Sequence, residues 1–371
     1  MPGLVLALNA GSSSLKCALF ETAPDGPHAK ARTTIDAQGR GLGHAAVMAA
    51  LDWADQAGAG ETLTGVGHRV VHGGQDFHAP VLLDARVIEA LEALTPLAPL
   101  HQPPALEAAR ALLALRPLTP QVAAFDTAFH WDQPAVAQRL GLPREWHDKG
   151  VRRYGFHGLS YQYIAGRLAE LDPPLAAGRV VVAHLGAGAS LCAMAAGRSV
   201  DTTMGFSPLD GLLMATRCGE LDPGVVLYLE QHEGLTADQV QDLLYRRSGL
   251  HGVSGLTGDM RALLASADPA AGEAVDLFVY RAAKDIAALA GVLGGLDGVV
   301  FTAGIGEHSP QIRARICGRL AWLGLELDAG INSLGGEARL STAASRLAAW
   351  VIPTDEEQII VQQTLAVLAA R

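Results

Sequence analysis

Two rhythms of apolar and polar positions run along the chain. Short apolar runs closed by glycine- or serine-rich turns read as strands, and longer stretches with helical spacing read as helices. Leu4-Val5-Leu6-Ala7-Leu8 leads into the turn Asn9-Ala10-Gly11-Ser12-Ser13-Ser14, followed by a second apolar run, Leu15-Lys16-Cys17-Ala18-Leu19-Phe20. The arrangement recurs in the middle of the chain. Val180-Val181-Val182-Ala183-His184-Leu185 leads into Gly186-Ala187-Gly188-Ala189-Ser190, then Leu191-Cys192-Ala193-Met194. Each is a strand, a small-residue turn and a second strand, which reads as a hairpin. The repetition points to a duplicated domain with one phosphate-cradling hairpin per copy. Two unrelated hairpins built from common residues would give the same pattern.

A third strand signal, Gly298-Val299-Val300-Phe301-Thr302, ends in the glycine turn Ala303-Gly304-Ile305-Gly306-Glu307. Ser309-Pro310 then opens a helix, with Ser as cap and Pro at the first helical position. Residues 106–115, 161–171 and 274–293 carry helical periodicity or strong helix formers. The whole is α/β. A loop-rich stretch over 131–150 predicts a boundary, giving domains 1–150 and 151–357. An apolar helix over 358–371 is expected to return to the first domain.

The chain has 371 residues, enough for two domains. Its net charge of −10 and lack of a basic stripe argue against a nucleic-acid surface. The start of the chain has no basic leader or cleavage site, and no apolar run approaches the roughly 20 residues of a spanning helix. Neither a signal peptide nor a membrane span is expected. The four cysteines, Cys17, Cys192, Cys218 and Cys317, are scattered without C-x-x-C spacing, so they read as small core residues in a reducing cytoplasm.

The usual phosphate signatures are absent. No Gly-Lys pair exists for a P-loop, Ser309 stands where a dinucleotide fingerprint needs its third glycine, and no H-R-D catalytic loop occurs. Phosphates would instead meet hairpin N–H groups, hydroxyls and isolated cations. Asn9 to Lys16 supplies small residues, the hydroxyls of Ser12, Ser13 and Ser14, and one charge. Arg69 in Gly67-His68-Arg69-Val70-Val71-His72-Gly73-Gly74 and Arg217 in Thr216-Arg217-Cys218-Gly219 are candidates to neutralise a transferred phosphoryl group; surface ion pairs would look alike. Asp126 follows an apolar strand, and His157 lies between aromatics and glycines. Asp355-Glu356-Glu357 would suit magnesium with phosphate oxygens, or equally an acidic first helical turn.

Taken in order, NAGSSSLK, GHRVVHGG, LAPLHQPP, FDTAFH, RRYGFHG, HLGAGAS, MGFSPLDGL, TRCGELDPG, GVSGLTGDMR, FTAGIGE and IPTDEEQ resemble the acetate kinase family over essentially the whole chain. That family belongs with sugar kinases, actin and heat-shock chaperone ATPases. The resemblance implies two duplicated ribonuclease H-like domains, each a mixed five-stranded sheet with flanking helices, and a site between them. It implies direct in-line transfer of the ATP γ-phosphoryl group to acetate, a magnesium ion (manganese as substitute) and a homodimer formed through the second domain. Asn9, Arg217 and His157 would contact the transferring group, with Arg69 on it or on the carboxylate and His101 and His184 alongside. Asp126 would orient the acceptor or a metal-bound water, and Asn9 and Glu356 would serve the metal. Val71, Leu100, Phe156 and Pro208 match the pocket for the methyl group. Lys16, Ser12, Ser14, His184, Gly186 and Gly188 match the phosphate side. Asp259, Met260, Arg261, Gly304, Ile305, Gly306 and Ile312 match the adenosine side.

Three departures stand out. The second hairpin usually reads HLGNGSS; here Ala187 replaces Asn and Ala189 the first Ser. One lost donor of this kind costs on the order of 2.7–4 kcal/mol in catalysis unless backbone or water replaces it. Leu159 and Tyr161 replace Thr and the second His of GFHGTSH, and the segment between Phe20 and Thr64 is trimmed. Propionate or butyrate as acceptor is the nearest alternative, because one methylene is worth only roughly 1–3 kcal/mol; Val71 favours acetate. Pyrophosphate chemistry is disfavoured by the retained Gly304-Ile305 turn. A nucleotide-binding regulator without turnover is disfavoured by Arg69, Arg217, Asp126, His157 and Glu356 all being present.

Overall fold

The computed structural model describes residues 3–11, 14–36 and 41–370. Strands β1 (Leu4–Ala10), β2 (Ser14–Ala23), β3 (Gly26–Asp36), β4 (Leu63–Val70), β5 (Val81–Leu82) and β6 (Gln121–Phe125) form one sheet, in the order β3-β2-β1-β4-β6-β5. Strands β7 (Arg179–Leu185), β8 (Ala189–Ala195), β9 (Arg198–Thr202), β10 (Gly298–Thr302), β11 (Ala338–Arg339) and β12 (Ala348–Val351) form the other, in the order β11-β12-β10-β7-β8-β9. The second order is the first one repeated, six positions on and read from the opposite edge.

Pairing senses repeat as well. The hairpins β1–β2 and β7–β8 are antiparallel, and β1–β4–β6 and β7–β10–β12 are parallel. The edge strands β5 and β11 are antiparallel to β6 and β12. Unrelated hairpins would not share all six places, so the duplication holds. Each sheet has six strands rather than five because the sixth is a two-residue edge strand, too short to leave a period in the sequence.

Both sheets are covered on two faces, which explains their near-continuous apolar runs. Helices His44–Gly58 and Gln102–Leu115 cover one face of the first sheet, burying Val47, Leu51 and Leu112 against Leu6, Leu8 and Leu15. The last helix, Glu356–Ala369, covers the other face through Ile359, Ile360 and Val361. Gly67 on β4 permits that approach: a Cβ there would lie 2.4 Å from Thr364 Oγ1 and 2.5 Å from Ile360 Cγ2. On the second sheet, Pro269–Val292 packs one face and Gly158–Leu171 the other. Gly158–Leu171 also packs on the last helix, so these two helices tie the two sheets together.

Local details depart from the sequence reading in three places. Ser309 precedes the helix Pro310–Arg319 but makes no side-chain cap bond. The Gly304 to Gly306 stretch is a short helix, Ala303–His308, rather than an open turn. Glu307 holds it: its carboxylate accepts the N–H groups of Ala303 at 2.8 Å and Thr354 at 3.1 Å. Within 131–150 two short helices, Ala135–Gln138 and Arg144–Asp148, interrupt the loop. All four cysteines are free; Cys17, Cys192 and Cys317 are buried and Cys218 half-buried. Among the described residues no helix is long and apolar enough to cross a membrane.

Candidate active site

The carboxyl ends of β1, β4, β6, β7, β10 and β12 all open onto one cleft, the usual location for ligands in sheets with parallel strands. The cleft holds about 550 Å³ and adjoins a larger, more apolar cavity of about 970 Å³. Gly186, Ala187 and Gly304 border both.

One wall comes from the first sheet and the start of the last helix. Arg69 donates two hydrogen bonds to Asp126, Nε to Oδ1 at 2.9 Å and an Nη to Oδ2 at 2.6 Å, and a third to Asn9 Oδ1 at 3.1 Å. Asn9 Nδ2 donates onward to Glu356 and Glu357, both at 3.0 Å. Burial opposes the Arg69 charge, but Asp126, Glu356 and Glu357 outweigh it and hold its pKa above the ordinary value. Arg32 pairs with Asp355 and, at 3.5 Å, with Glu357, tethering the acidic turn from β3. This wall is therefore compensated from within. Arg69, expected on a substrate group, is engaged by Asp126, whose carboxylate in turn is occupied on both oxygens.

The facing wall comes from the second half. Arg217 is half-buried, and among the described residues its one hydrogen bond runs from Nη1 to the Pro208 carbonyl at 2.6 Å. No carboxylate pairs with it there. Burial, with Arg69 adding repulsion, brings its pKa down to about 10, so it stays charged at neutral pH. A partly buried cation without a counter-ion carries a desolvation cost that an anion in the cleft would offset.

Beside Arg217, His157 and His184 stack with ring centroids 4.1 Å apart. His157 Nδ1 lies 2.8 Å from Ser190 Oγ, and His184 Nδ1 lies 2.8 Å from Ser160 Oγ. Burial first, then the neighbouring His184 ring and the charges of Arg69 and Arg217, push the His157 pKa well below its ordinary value. Burial and Arg69 bring His184 to about 3, and burial and Arg217 bring His101 to about 3. All three are neutral imidazoles near pH 7. Gly188 brings the groups together: a Cβ on it would lie 2.6 Å from an Arg217 Nη and 3.3 Å from His157 Nε2. Val71, Phe156 and Pro208 form a small apolar corner of the same cleft.

Of the residues singled out in the sequence, Asn9, Ser14, Lys16, Arg69, Val71, His101, Asp126, Phe156, His157, His184, Gly186, Gly188, Pro208, Arg217 and Glu356 line the cleft. Asp259, Met260, Arg261, Gly304 and Ile305 line the larger cavity. Leu100, Gly306 and Ile312 line neither; Ile312 is fully buried in the second core. Ser12 lies outside the described residues. Glu357, read only as part of the acidic run, also lines the cleft, as do Glu307 and Thr354, which were not singled out; Ser190 lies behind His157. All four stand inside the motifs named above, but only the fold brings Ser190 under His157.

A duplicated pair of sheets, each presenting a hairpin turn to a shared anion-seeking cleft, places the chain among the phosphotransferases of the actin-like ATPase class. A model of the acetokinase family matches residues 25–362, and the chain belongs to that family. It is 52% identical to an acetate kinase of Rhodopseudomonas palustris, with 98% of each chain covered. Among solved structures, it is similar to acetate kinase from Porphyromonas gingivalis (34% identical, TM-score 0.84, 99% of this chain and 100% of that one). It is also similar to a propionate kinase from Francisella tularensis (35% identical, TM-score 0.88, 98% and 100% covered).

Proposed function

We propose that this chain reversibly transfers the γ-phosphoryl group of ATP to acetate, giving acetyl phosphate and ADP. The observation that carries the reading is Arg217, a half-buried guanidinium that meets no carboxylate among the described residues, set beside a neutral histidine donor and an apolar corner. The carboxylate oxygen attacks phosphorus as the bond to the ADP oxygen breaks, and no phosphoenzyme intervenes. A carboxylate is already an adequate nucleophile, so positioning and charge neutralisation supply the catalysis. Arg217 and His157 face the equatorial oxygens, Val71, Phe156 and Pro208 receive the methyl group, and the larger cavity takes adenosine beside Asp259, Met260 and Ile305. Arg69, fixed by Asp126, lends charge from the opposite wall.

Oxygen ligands on the first wall suit a hard divalent cation such as magnesium, which takes one or two carboxylates and completes its shell with phosphate oxygens and water. Glu356 and Glu357 offer such a pair. Among the described residues no cluster of three or more His, Cys, Asp or Glu could hold a metal alone, in keeping with a cation shared with the nucleotide. When bound, it would neutralise β- and γ-phosphate charge. The relatives named acetate kinase favour acetate; the likeness to a propionate kinase keeps propionate as the second reading.

We further propose a cytoplasmic homodimer, with domains dividing near residue 150. The helix Pro223–Gln231 carries Val225, Val226, Leu227, Tyr228 and Leu229 yet buries none of its residues, which supports a second copy covering it. The reading is tested by trapping acyl phosphate as hydroxamate with ATP, magnesium and each of acetate, propionate and butyrate. The highest rate is expected with acetate; a higher rate with propionate would move the assignment, and no product from any acid would overturn it.

A further inference from the structure

The hydroxyl groups under His157 admit one pattern of protons. Ser190 Oγ is fully buried and contacts two groups, His157 Nδ1 at 2.8 Å and the Tyr161 hydroxyl. Tyr161 is also fully buried, and among the described residues Ser190 is its only hydrogen-bond partner. If Tyr161 accepted from Ser190, its own proton would have no acceptor. If His157 Nδ1 carried a proton and donated it to Ser190, the Ser190 proton would have none. A buried donor left unmade costs more than a formed bond returns. Only the sequence Tyr161 O–H to Ser190 Oγ, and Ser190 O–H to His157 Nδ1, satisfies every group.

From this geometry we infer that Tyr161 is a positioning residue that acts through Ser190 to hold His157 as the Nε2–H tautomer. Nε2 has no protein partner among the described residues and faces the cleft beside Gly188 and the Arg217 guanidinium. The relay therefore presents a neutral N–H donor where the transferred group would lie, without adding a charge that must be lost again. The two hydroxyls polarise one another in series, which sharpens the preference for one tautomer. Tyr161 is held on its ring side by His130, at a centroid distance of 5.6 Å, and by the apolar cluster with Ile164 and Val182. Its hydroxyl therefore has little freedom to turn elsewhere.

The catalytic part of this inference rests on the proposed phosphoryl transfer; the tautomer does not. The test is side-chain nitrogen–proton correlation NMR on histidine-labelled full-length protein at pH 7.5, with His157 assigned as the signal lost in His157→Gln. The free wild-type protein is expected to show His157 protonated at Nε2 and unprotonated at Nδ1. A proton on Nδ1 overturns the inference, whatever the enzyme acts on. In Tyr161→Phe, which keeps the ring and removes the donor, a mixture of tautomers is expected. With the carboxylate substrate that the wild type uses, kcat should fall about tenfold at little changed KM for ATP and the acid. An unchanged tautomer with unchanged kcat in a folded Tyr161→Phe protein also overturns it. Should that variant fail to fold, the wild-type spectrum alone decides. A pure Nε2–H signal in an inactive wild type would sink the kinase reading and leave the relay standing.

Discussion

The two walls of the cleft share a strand plan but answer the problem of buried charge in opposite ways. On the first wall, Arg69, Asp126, Asn9, Glu356 and Glu357 form one connected network in which Arg69 is paired with Asp126 and Asn9 links it to the two glutamates. On the second, among the described residues Arg217 donates to a carbonyl and to no carboxylate, and two neutral imidazoles stack beside it. Duplication supplied the same scaffold twice, and the side chains then diverged. One copy became a shelf whose arginine is already engaged and the other a site that an anion completes. The difference separates residues that hold the cleft together from those that wait for substrate.

Breaking the first wall should have the largest combined effect. Arg69→Ala leaves the fully buried Asp126 carboxylate without its partner, which costs about 3–5 kcal/mol of stability. Chemical denaturation should show that loss together with loss of turnover. A change in turnover with unaltered stability would mean that the shelf is not a structural unit.

On the second wall the expected effects are on rate rather than on stability. In Gly188→Ala the new methyl group would meet the flexible end of Arg217 at 2.6 Å, so the guanidinium can yield without disturbing the backbone. A fall in kcat on the order of a hundredfold is expected, since small misplacements of charge carry penalties of that size. The unfolding midpoint should stay put.

A smaller effect should follow from restoring a donor to the second hairpin. Ala187 is exposed at the border between cleft and cavity, so Ala187→Asn adds an amide without a clash. One hydrogen bond to a charged phosphate is worth about 1.5–3 kcal/mol, and a drop of about tenfold in KM for ATP is expected from steady-state rates. An unchanged or higher KM would show that backbone or water already fills the place.

Legibility in the sequence followed the range of the interactions. The hairpins and the long helices rest on local apolar spacing and small-residue turns, and they appear close to where that spacing puts them, the helices Gln102–Leu115, Gly158–Leu171 and Pro269–Val292 each beginning earlier. The Arg69 to Asp126 bond joins residues 57 positions apart, and the Asn9 to Glu356 bond joins residues 347 apart. No local period encodes either, so the sequence offered Arg69 and Asp126 as separate candidates without showing that one holds the other. The edge strands Val81–Leu82 and Ala338–Arg339 are too short to carry a pattern. Ile312 shares a segment with residues near the cavity, yet its helical position turns it into the core. Tyr161 drew notice only as a departure from a motif; its link to Ser190 depends on how the helix Gly158–Leu171 sits under β8.

The contrast between the walls is tested most directly by Arg217→Ala, with acyl-phosphate formation and the free energy of unfolding measured on the same preparation. If Arg217 is kept unpaired for the transferred group, turnover should fall about a thousandfold or more. Stability should hold or rise, because a poorly solvated charge has been removed. Retained turnover, or a loss of stability like that of Arg69→Ala, would contradict the account.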